Sequence, residues 1–365
     1  EETMAFYPLL VPVMMAVGFD SITAVAIILL GSQIGCLAST LNPFATVIAS
    51  DTAGVPTAEG LALRLIFWFV MVAMSTYFVY RYADKIQKDP TKSLVYNQRE
   101  EDLKHFNVSN NEDAPSVLSK KQKHVLYLFI ATFVIMVASF IPWTDLHITL
   151  FENLNAWLTG LPVIGKIIGS SAAALGTWYF PEGAMLFAVM GIIIGVVYGL
   201  KEDKIISAFM NGAADLLSVA LICAVARGIQ VIMNDGMITA TILHWGEEGL
   251  KGLSSQLFII LTYIFYLPMS FLIPSSSGLA SATMGIMAPL GEFVNVKGSL
   301  IVTAYQSASG VLNLVAPTSG IVMGALALGR ISLGTWWKFI GKLIVAIIVV
   351  SILLLLLGTF IPAIG

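Results

Sequence analysis

Leu41-Asn42-Pro43-Phe44 and Ala316-Pro317-Thr318-Ser319-Gly320 decide the reading of this chain, because each interrupts a long apolar stretch that otherwise has the composition of a membrane-spanning helix. Proline removes a backbone donor and glycine loosens the chain, so both sequences break helices. Lipid leaves no free backbone group solvated. Non-helical backbone at membrane depth therefore survives only where it is buried in protein or lines a cavity. Two such breaks in matching places point to a transporter with polar sites near the bilayer centre.

Composition agrees. Of 365 residues, 57% are hydrophobic and 11% charged, with a mean hydropathy of +0.87, against about 25% charged in a soluble domain. This is the composition of a polytopic membrane protein. The net charge of -3 says little, since charge placement carries topology. Cys36 and Cys223 lie inside apolar segments and indicate neither a disulfide framework nor a metal site. His105, His124, His147 and His244 lie in loops or at span ends, which disfavours a serine-histidine hydrolase and leaves no zinc set. No phosphate-binding glycine loop supports ATP-driven pumping. No cofactor and no nucleic-acid partner is expected; the lipid bilayer and a small-molecule substrate are. The chain opens on Glu1-Glu2-Thr3 without a signal-peptide pattern and reads as a piece of a longer protein.

Apolar windows of roughly spanning length fall at 4–19, 22–50, 61–80, 124–143, 183–200, 205–234, 254–273, 279–291, 298–328 and 339–362. The windows 4–19 and 279–291 are short and suit the arms of re-entrant hairpins. Residues 81–123 are polar and form a long soluble loop between two halves. Residues 144–182, with Trp157 and Trp178, suit interfacial helices and turns. If 81–123 is cytoplasmic, fourteen of the 19 Lys and Arg lie inside and only Lys166, Lys251 and Lys297 outside, with Arg64 and Arg227 in spans; the positive-inside rule favours this orientation.

A repeat follows from spacing. Thr3 to Pro43 and Ser277 to Pro317 are both 40 residues, an offset of 274 that also sets Arg64 opposite Lys338. Each unit reads as hairpin tip, returning arm, broken helix and closing helix, in opposite orientations. The expected fold is thus all-α and polytopic, with inverted repeats, re-entrant hairpins and broken helices. Its divisions are 1–80 for the remainder of the first repeat, 81–123 for a cytoplasmic linker, 124–253 for scaffold helices and the interfacial segment, and 254–365 for the second repeat. The incoming arm of the first hairpin would lie before residue 1.

Six motifs carry a family resemblance: the run from Glu1 to Pro12, Leu41-Asn42-Pro43-Phe44, Asn211-Gly212-Ala213-Ala214-Asp215-Leu216-Leu217, Ala226-Arg227-Gly228-Ile229, Pro274-Ser275-Ser276-Ser277-Gly278 and Ala316-Pro317-Thr318-Ser319-Gly320. Over essentially the whole chain they resemble the YfcC family of the ion transporter superfamily, whose members have been labelled both basic amino acid antiporters and anaerobic four-carbon dicarboxylate carriers. Within it the chain looks most similar to the arginine-ornithine antiporters of bacteria. The resemblance implies the superfamily's fold, a homodimer with a dimerising scaffold, and the bacterial cytoplasmic membrane.

Ser275, Ser276 and Ser277 at a hairpin tip, facing Asn313, Thr318 and Ser319, offer hydroxyls and loose carbonyls for a zwitterion or cation. They could equally be a small-residue turn for close packing. By the repeat, Glu1, Glu2 and Thr3 with Asn42 and Thr46 form the partner half-site, and carboxylates there would be counter-charge for a guanidinium or ammonium. In the 205–234 helix, Asn211, Asp215 and Ser218 share one face and Arg227, Gln230 and Asn234 another. Asp215 could meet a side-chain amine and Arg227 a substrate carboxylate; both could instead fix the bundle. Gln33 and Gln306 are weaker lining candidates. Trp336-Trp337-Lys338 reads as an interface anchor. The expected function is one-for-one exchange of arginine for ornithine, with an ion-coupled carboxylate or four-carbon dicarboxylate carrier as the alternative.

Overall fold

The computed structural model describes residues 2–40, 42–106, 119–141, 143–144, 148–162, 165–166, 169, 172–178, 180–250, 252–273, 275–361 and 365. At residues 2, 5, 43, 44, 140, 180, 215, 216, 218–220, 222, 223, 225–227, 229, 230, 234, 239, 243, 246 and 247 only the backbone is described. The described residues are helical with turns and no strand. Glu1 and Pro274 lie outside them.

Fifteen helices follow one another among the described residues. They are α1 (Tyr7–Ala16), α2 (Ser21–Leu37), α3 (Ile48–Ala53), α4 (Leu61–Lys88), α5 (Arg99–His105), α6 (Lys120–Phe140), α7 (Leu150–Gly160) and α8 (Phe180–Tyr198), then α9 (Glu202–Asp235), α10 (Ile238–Leu250), α11 (Ser255–Leu272), α12 (Ser276–Phe293), α13 (Gly298–Leu312), α14 (Gly320–Leu328) and α15 (Leu333–Phe360). Five are long and apolar enough to cross a bilayer: Leu61–Lys88, Lys120–Ser139, Pro181–Tyr198, Ser255–Leu272 and Leu333–Phe360. The protein is a multi-pass helical membrane protein.

Capping side chains set several helix starts. The Asp20 carboxylate accepts from the Thr23 N–H at 2.8 Å at the start of α2. Ser119 and Gln122 form a capping box for α6, and Ser254 and Ser332 cap α11 and α15. Helix α4 runs to Lys88, past the apolar window that ends at residue 80, because its last turns are held in the exposed zone by an Asp84–Lys88 pair at i,i+4, 2.7 Å.

The chain forms two compact units. The second, residues 111–214, holds α6 packed on α8, with Phe133 against Phe187 at 5.4 Å. The first, residues 1–110 and 215–365, holds both expected repeats. Moved by the 274-residue offset, α1, α2, α3 and α4 fall on α12, α13, α14 and α15. The packing exchanges in the same way: α3 lies against α12, and α14 against α1. The closing helices run antiparallel. A Cβ on Gly358, near the end of α15, would sit 2.9 Å from Leu63 at the start of α4, while Phe339 near the start of α15 stacks edge-on to Phe78 and Tyr82 late in α4, at 5.1 and 4.9 Å. The repeats are thus inverted.

The two faces of this unit are fastened differently. At one end, Asp20 also accepts from the hydroxyls of Tyr82 at 2.7 Å and Ser93 at 2.6 Å, so the segment after α4 is tied to the start of α2. The same segment reaches the turn between α14 and α15, where Arg330, itself at a positive φ of 55°, pairs with Asp102 at 3.1 Å and Glu101 at 3.7 Å. At the other end, Ser299 and Lys297 at the start of α13 approach Glu59 at 3.4 and 3.9 Å. Arg64 is fully buried there and donates to the Thr57 carbonyl.

Candidate functional site

The broken helices α2 and α13 enter from these opposite faces and meet end to end at the middle of the unit. A Cβ on Gly310 would lie 2.4 Å from the Leu37 Cβ and 2.5 Å from its Cα; only glycine allows this approach. The first break follows directly. Pro43 cannot continue the hydrogen-bond ladder, and residues Pro43–Val47 wind as a single wide π turn into α3. Side chains replace the lost backbone pairing. Ser39 Oγ accepts from the Asn42 N–H at 2.8 Å, and Asn42 Oδ1 from the Ala45 N–H at 3.2 Å.

Gln306, buried in α13 one turn before Gly310, then reaches across to this break. Its amide donates to the Ser39 carbonyl at 2.7 Å and the Leu37 carbonyl at 3.3 Å, and its Oε1 accepts from Thr46 Oγ1 at 2.6 Å. Thr46 Oγ1 also lies 3.0 Å from Ser39 Oγ. The amide of one repeat thus satisfies freed carbonyls of the other, as burial away from water demands.

The second break is held from its own repeat. Trp336 Nε1 donates to the Leu314 carbonyl at 2.8 Å and Trp337 Nε1 to the Val315 carbonyl at 2.9 Å. This corrects the reading of Trp336 as an interface anchor: it is fully buried, and only Trp337 is half exposed. Thr318 Oγ1 donates to the Phe271 carbonyl at 3.2 Å, joining the break to the incoming hairpin arm α11. Ser319 starts α14 but makes no side-chain cap, so the positive end of this half-helix is not satisfied by its own N-cap residue. Asn313 is buried at the end of α13.

At the hairpin tip, Ser275 Oγ accepts from the Gly278 N–H at 3.2 Å and lies 3.5 Å from Ser277 Oγ. Tyr305, next to Gln306, donates its hydroxyl to the Ser276 carbonyl, and its ring stacks edge-on to Tyr266 at 5.4 Å. The tip of the second hairpin and the latch on the first break therefore share α13. The segment Glu2–Phe6 is a short 3₁₀ helix against α2 and α14; the Thr3 hydroxyl is buried there without a hydrogen-bond partner.

Of the residues singled out in the sequence, Asn42, Thr46, Ser275, Ser276, Ser277, Asn313, Thr318 and Ser319 are distributed over the two breaks and one tip that α13 links. Gln33 is buried in α2, 3.5 Å from Ser32 Oγ. Asn211 is exposed on α9. The side chains of Glu2, Asp215, Ser218, Arg227, Gln230 and Asn234 lie outside the described residues, as does Glu1. Sequence reasoning missed Tyr305, Ser39 and the latch made by Gln306. The polar pair Tyr305-Gln306 inside an otherwise apolar, small-residue helix was the available signal. Among the described residues, no group of three His, Cys, Asp or Glu could hold a metal ion.

Comparison with known proteins fits this architecture. A Haemophilus influenzae protein of uncharacterised function is 32% identical over 355 residues, covering 97% of this chain and 63% of its own length. An Escherichia coli K12 protein, provisionally named basic amino acid antiporter YfcC, is 28% identical over 349 residues, covering 93% of this chain and 62% of its own. The chain thus spans less than two thirds of the curated relatives it matches. Among solved structures, the YdaH transporter of Alcanivorax borkumensis, described as having an unusual topology, is 13% identical, covering 98% of this chain and 81% of that one at a TM-score of 0.40; that likeness carries no argument here. The family model described as C4-dicarboxylate anaerobic carrier matches residues 1–360. This is a multi-pass protein of the bacterial cytoplasmic membrane, and the chain belongs to the C4-dicarboxylate anaerobic carrier (DcuC) family.

Proposed function

We propose that the chain forms the transport core of a secondary carrier that holds a substrate carboxylate at the second break, against the start of α14. The observation that carries this reading is the Ser319 N-terminus: it lacks a side-chain cap and directly follows the break. Half-helix N-termini favour negative charge through their free N–H groups and dipole. Hydroxyls of Ser319 and the Ser275–Ser277 tip, with Asn313, supply neutral donors, and Thr318, whose proton goes to the Phe271 carbonyl, holds the break beside them. The family description supports a four-carbon dicarboxylate as the substrate.

A second reading, exchange of arginine for ornithine, is favoured by the provisional name of the Escherichia coli relative and by the acids Glu1, Glu2 and Asp215. An amino acid also presents a carboxylate, for which Arg227 would be a further partner, while a dianion would be repelled by those acids. In both readings Thr3 and Asn42 line the partner half-site, residues 1–80 and 254–365 are the moving repeats, and residues 124–253 are the scaffold of a homodimer.

The complete protein in proteoliposomes separates the readings. Labelled succinate entering succinate-loaded vesicles supports the dicarboxylate carrier; labelled arginine entering only ornithine-loaded vesicles supports the antiporter. Ser319→Asp tests the shared claim. An aspartate cap stabilises a helix by about 0.5–2 kcal/mol relative to an uncapped end, yet it would occupy the amides meant for substrate. The expected result is equal or higher thermal stability with a KM raised about tenfold or more. An unchanged KM in a folded variant removes the carboxylate from this end.

A further inference from the structure

A cleft lined by a cluster of cations lies away from the breaks, at the end of α4. It measures about 540 Å³ and is lined by Tyr77, Tyr80, Arg81, Asp84 and Lys85, with Lys88 and Lys92 completing its rim. Nothing in transport through the centre of the unit uses these residues.

Their order along the helix is informative. One row at i,i+4 spacing reads Phe69, Ala73, Tyr77, Arg81, Lys85, and the neighbouring row reads Trp68, Val72, Thr76, Tyr80, Asp84, Lys88. Phe69, Tyr77 and Tyr80 are 65%, 61% and 66% exposed. The strip therefore passes from bare apolar surface to phenolic hydroxyls to cations. Phe69 to Tyr77 covers about 12 Å of helix, close to one leaflet's share of a hydrocarbon core about 30 Å thick. Tyrosine belongs at the boundary of that core, and lysine and arginine just beyond it on the cytoplasmic side.

The cations are not equivalent. Lys88 is paired with Asp84 at 2.7 Å and Lys92 with Asp89 at 3.3 Å. Arg81 lies over the Tyr77 ring, 5.8 Å from its centroid, with Nη1 3.2 Å from the Tyr77 hydroxyl. Lys85 is exposed and has no ion-pair partner among the described residues. Arg81 and Lys85, one turn apart, are thus two adjacent uncompensated cations beside two phenols, at the foot of an apolar strip.

We propose that this cleft binds the phosphate headgroup of an anionic phospholipid of the cytoplasmic leaflet, with one acyl chain lying along Phe69 and Ala73. Arg81 and Lys85 take the phosphodiester, and Tyr77 and Tyr80 donate to the ester region. A soluble phosphate would use the cations but leave the apolar strip without a role.

The test uses the complete protein in neutral detergent, titrated with short-chain phosphatidylglycerol, with short-chain phosphatidylcholine and inorganic phosphate as parallel arms, and read by thermal unfolding. Phosphatidylglycerol is expected to raise the unfolding temperature saturably and to lose this effect at high salt; the other two arms leave it unchanged. Each charge near an anionic headgroup contributes about fivefold in affinity, so Arg81→Gln with Lys85→Gln should weaken phosphatidylglycerol binding about thirtyfold. Lys85→Glu should do so without changing unfolding in phosphatidylcholine. Equal stabilisation by phosphatidylcholine, competition by inorganic phosphate at matched concentration, full binding by the double variant, or cysteine cross-linking that pairs position 77 with its copy in a second chain would each overturn the proposal.

Discussion

The two helix breaks occupy equivalent places in the repeats and are held by unlike means. The first break depends on the other repeat: Gln306 bonds the buried carbonyls of Leu37 and Ser39 and the Thr46 hydroxyl. The second depends on its own closing helix, through the indoles of Trp336 and Trp337. The offset shows why the roles are not exchanged. Gln306 corresponds to Ser32, a short side chain that turns back to the Leu29 carbonyl at 3.2 Å, and Trp336 corresponds to Ala62. One half-site is therefore coupled across the inverted pair and the other within itself. Fold symmetry does not enforce chemical symmetry.

Replacing the cross-repeat latch should have the largest effect. Gln306→Leu keeps the volume but leaves two buried carbonyls unpaired, at about 1–3 kcal/mol for each group so stranded, and leaves Thr46 Oγ1 with Ser39 Oγ as its remaining partner. Unfolding in detergent should shift strongly downward and substrate flux should disappear; a variant that unfolds like the parent would show that the latch is dispensable. Trp336→Phe is the matched change at the second break. It retains packing on Phe339, 5.4 Å away, and loses one hydrogen bond, so a cost of about 1–2 kcal/mol with flux retained is expected. Because the two latches share no partner, the double variant should be additive, and measured coupling between them would show that the breaks are not independent.

The smallest effect concerns pH. Burial pushes the Asp102 carboxyl above its ordinary range, and Arg330 only partly pulls it back. The fold therefore favours the protonated acid. Its contribution is fully present below the unfolded value near 3.8 and is lost as pH rises through the raised folded value. Asp102→Asn should flatten a shallow decline in unfolding temperature as pH rises above the unfolded value near 3.8, by less than about 1 kcal/mol. A slope unchanged by the substitution assigns the pH dependence elsewhere.

Much of the fold was legible in the sequence for local reasons. Pro43 and Pro317 punctuate apolar runs, and the 274-residue offset carries over to four pairs of helices. The misreading of Trp336 shows where local pattern stops: a Trp-Trp-Lys run looks like an interface belt until a broken neighbour supplies a carbonyl for the indole to reach. The Gln306–Thr46 bond joins residues 260 apart, and no periodicity reports such a contact. The overrun of α4 to Lys88 was hidden because hydropathy marks where apolar residues end, whereas an Asp84–Lys88 pair lets the helix continue. The acids Glu2 and Asp215 were conspicuous as charges in apolar surroundings, but charge alone assigns them no partner, and their side chains lie outside the described residues.

The stretch that follows α4, together with α5, fastens one end of the unit. It is pinned at Asp20 on the turn before α2 through Ser93, and at Arg330 on the turn before α15 through Glu101 and Asp102 of α5, so both turns are held by one short tether. Motion that parts them must first break the Arg330–Asp102 pair or pull Ser93 and Tyr82 off a carboxylate that holds four hydrogen bonds. The tethered end resists parting, whereas at the opposite end Glu59 meets Lys297 and Ser299 across longer distances, 3.9 and 3.4 Å.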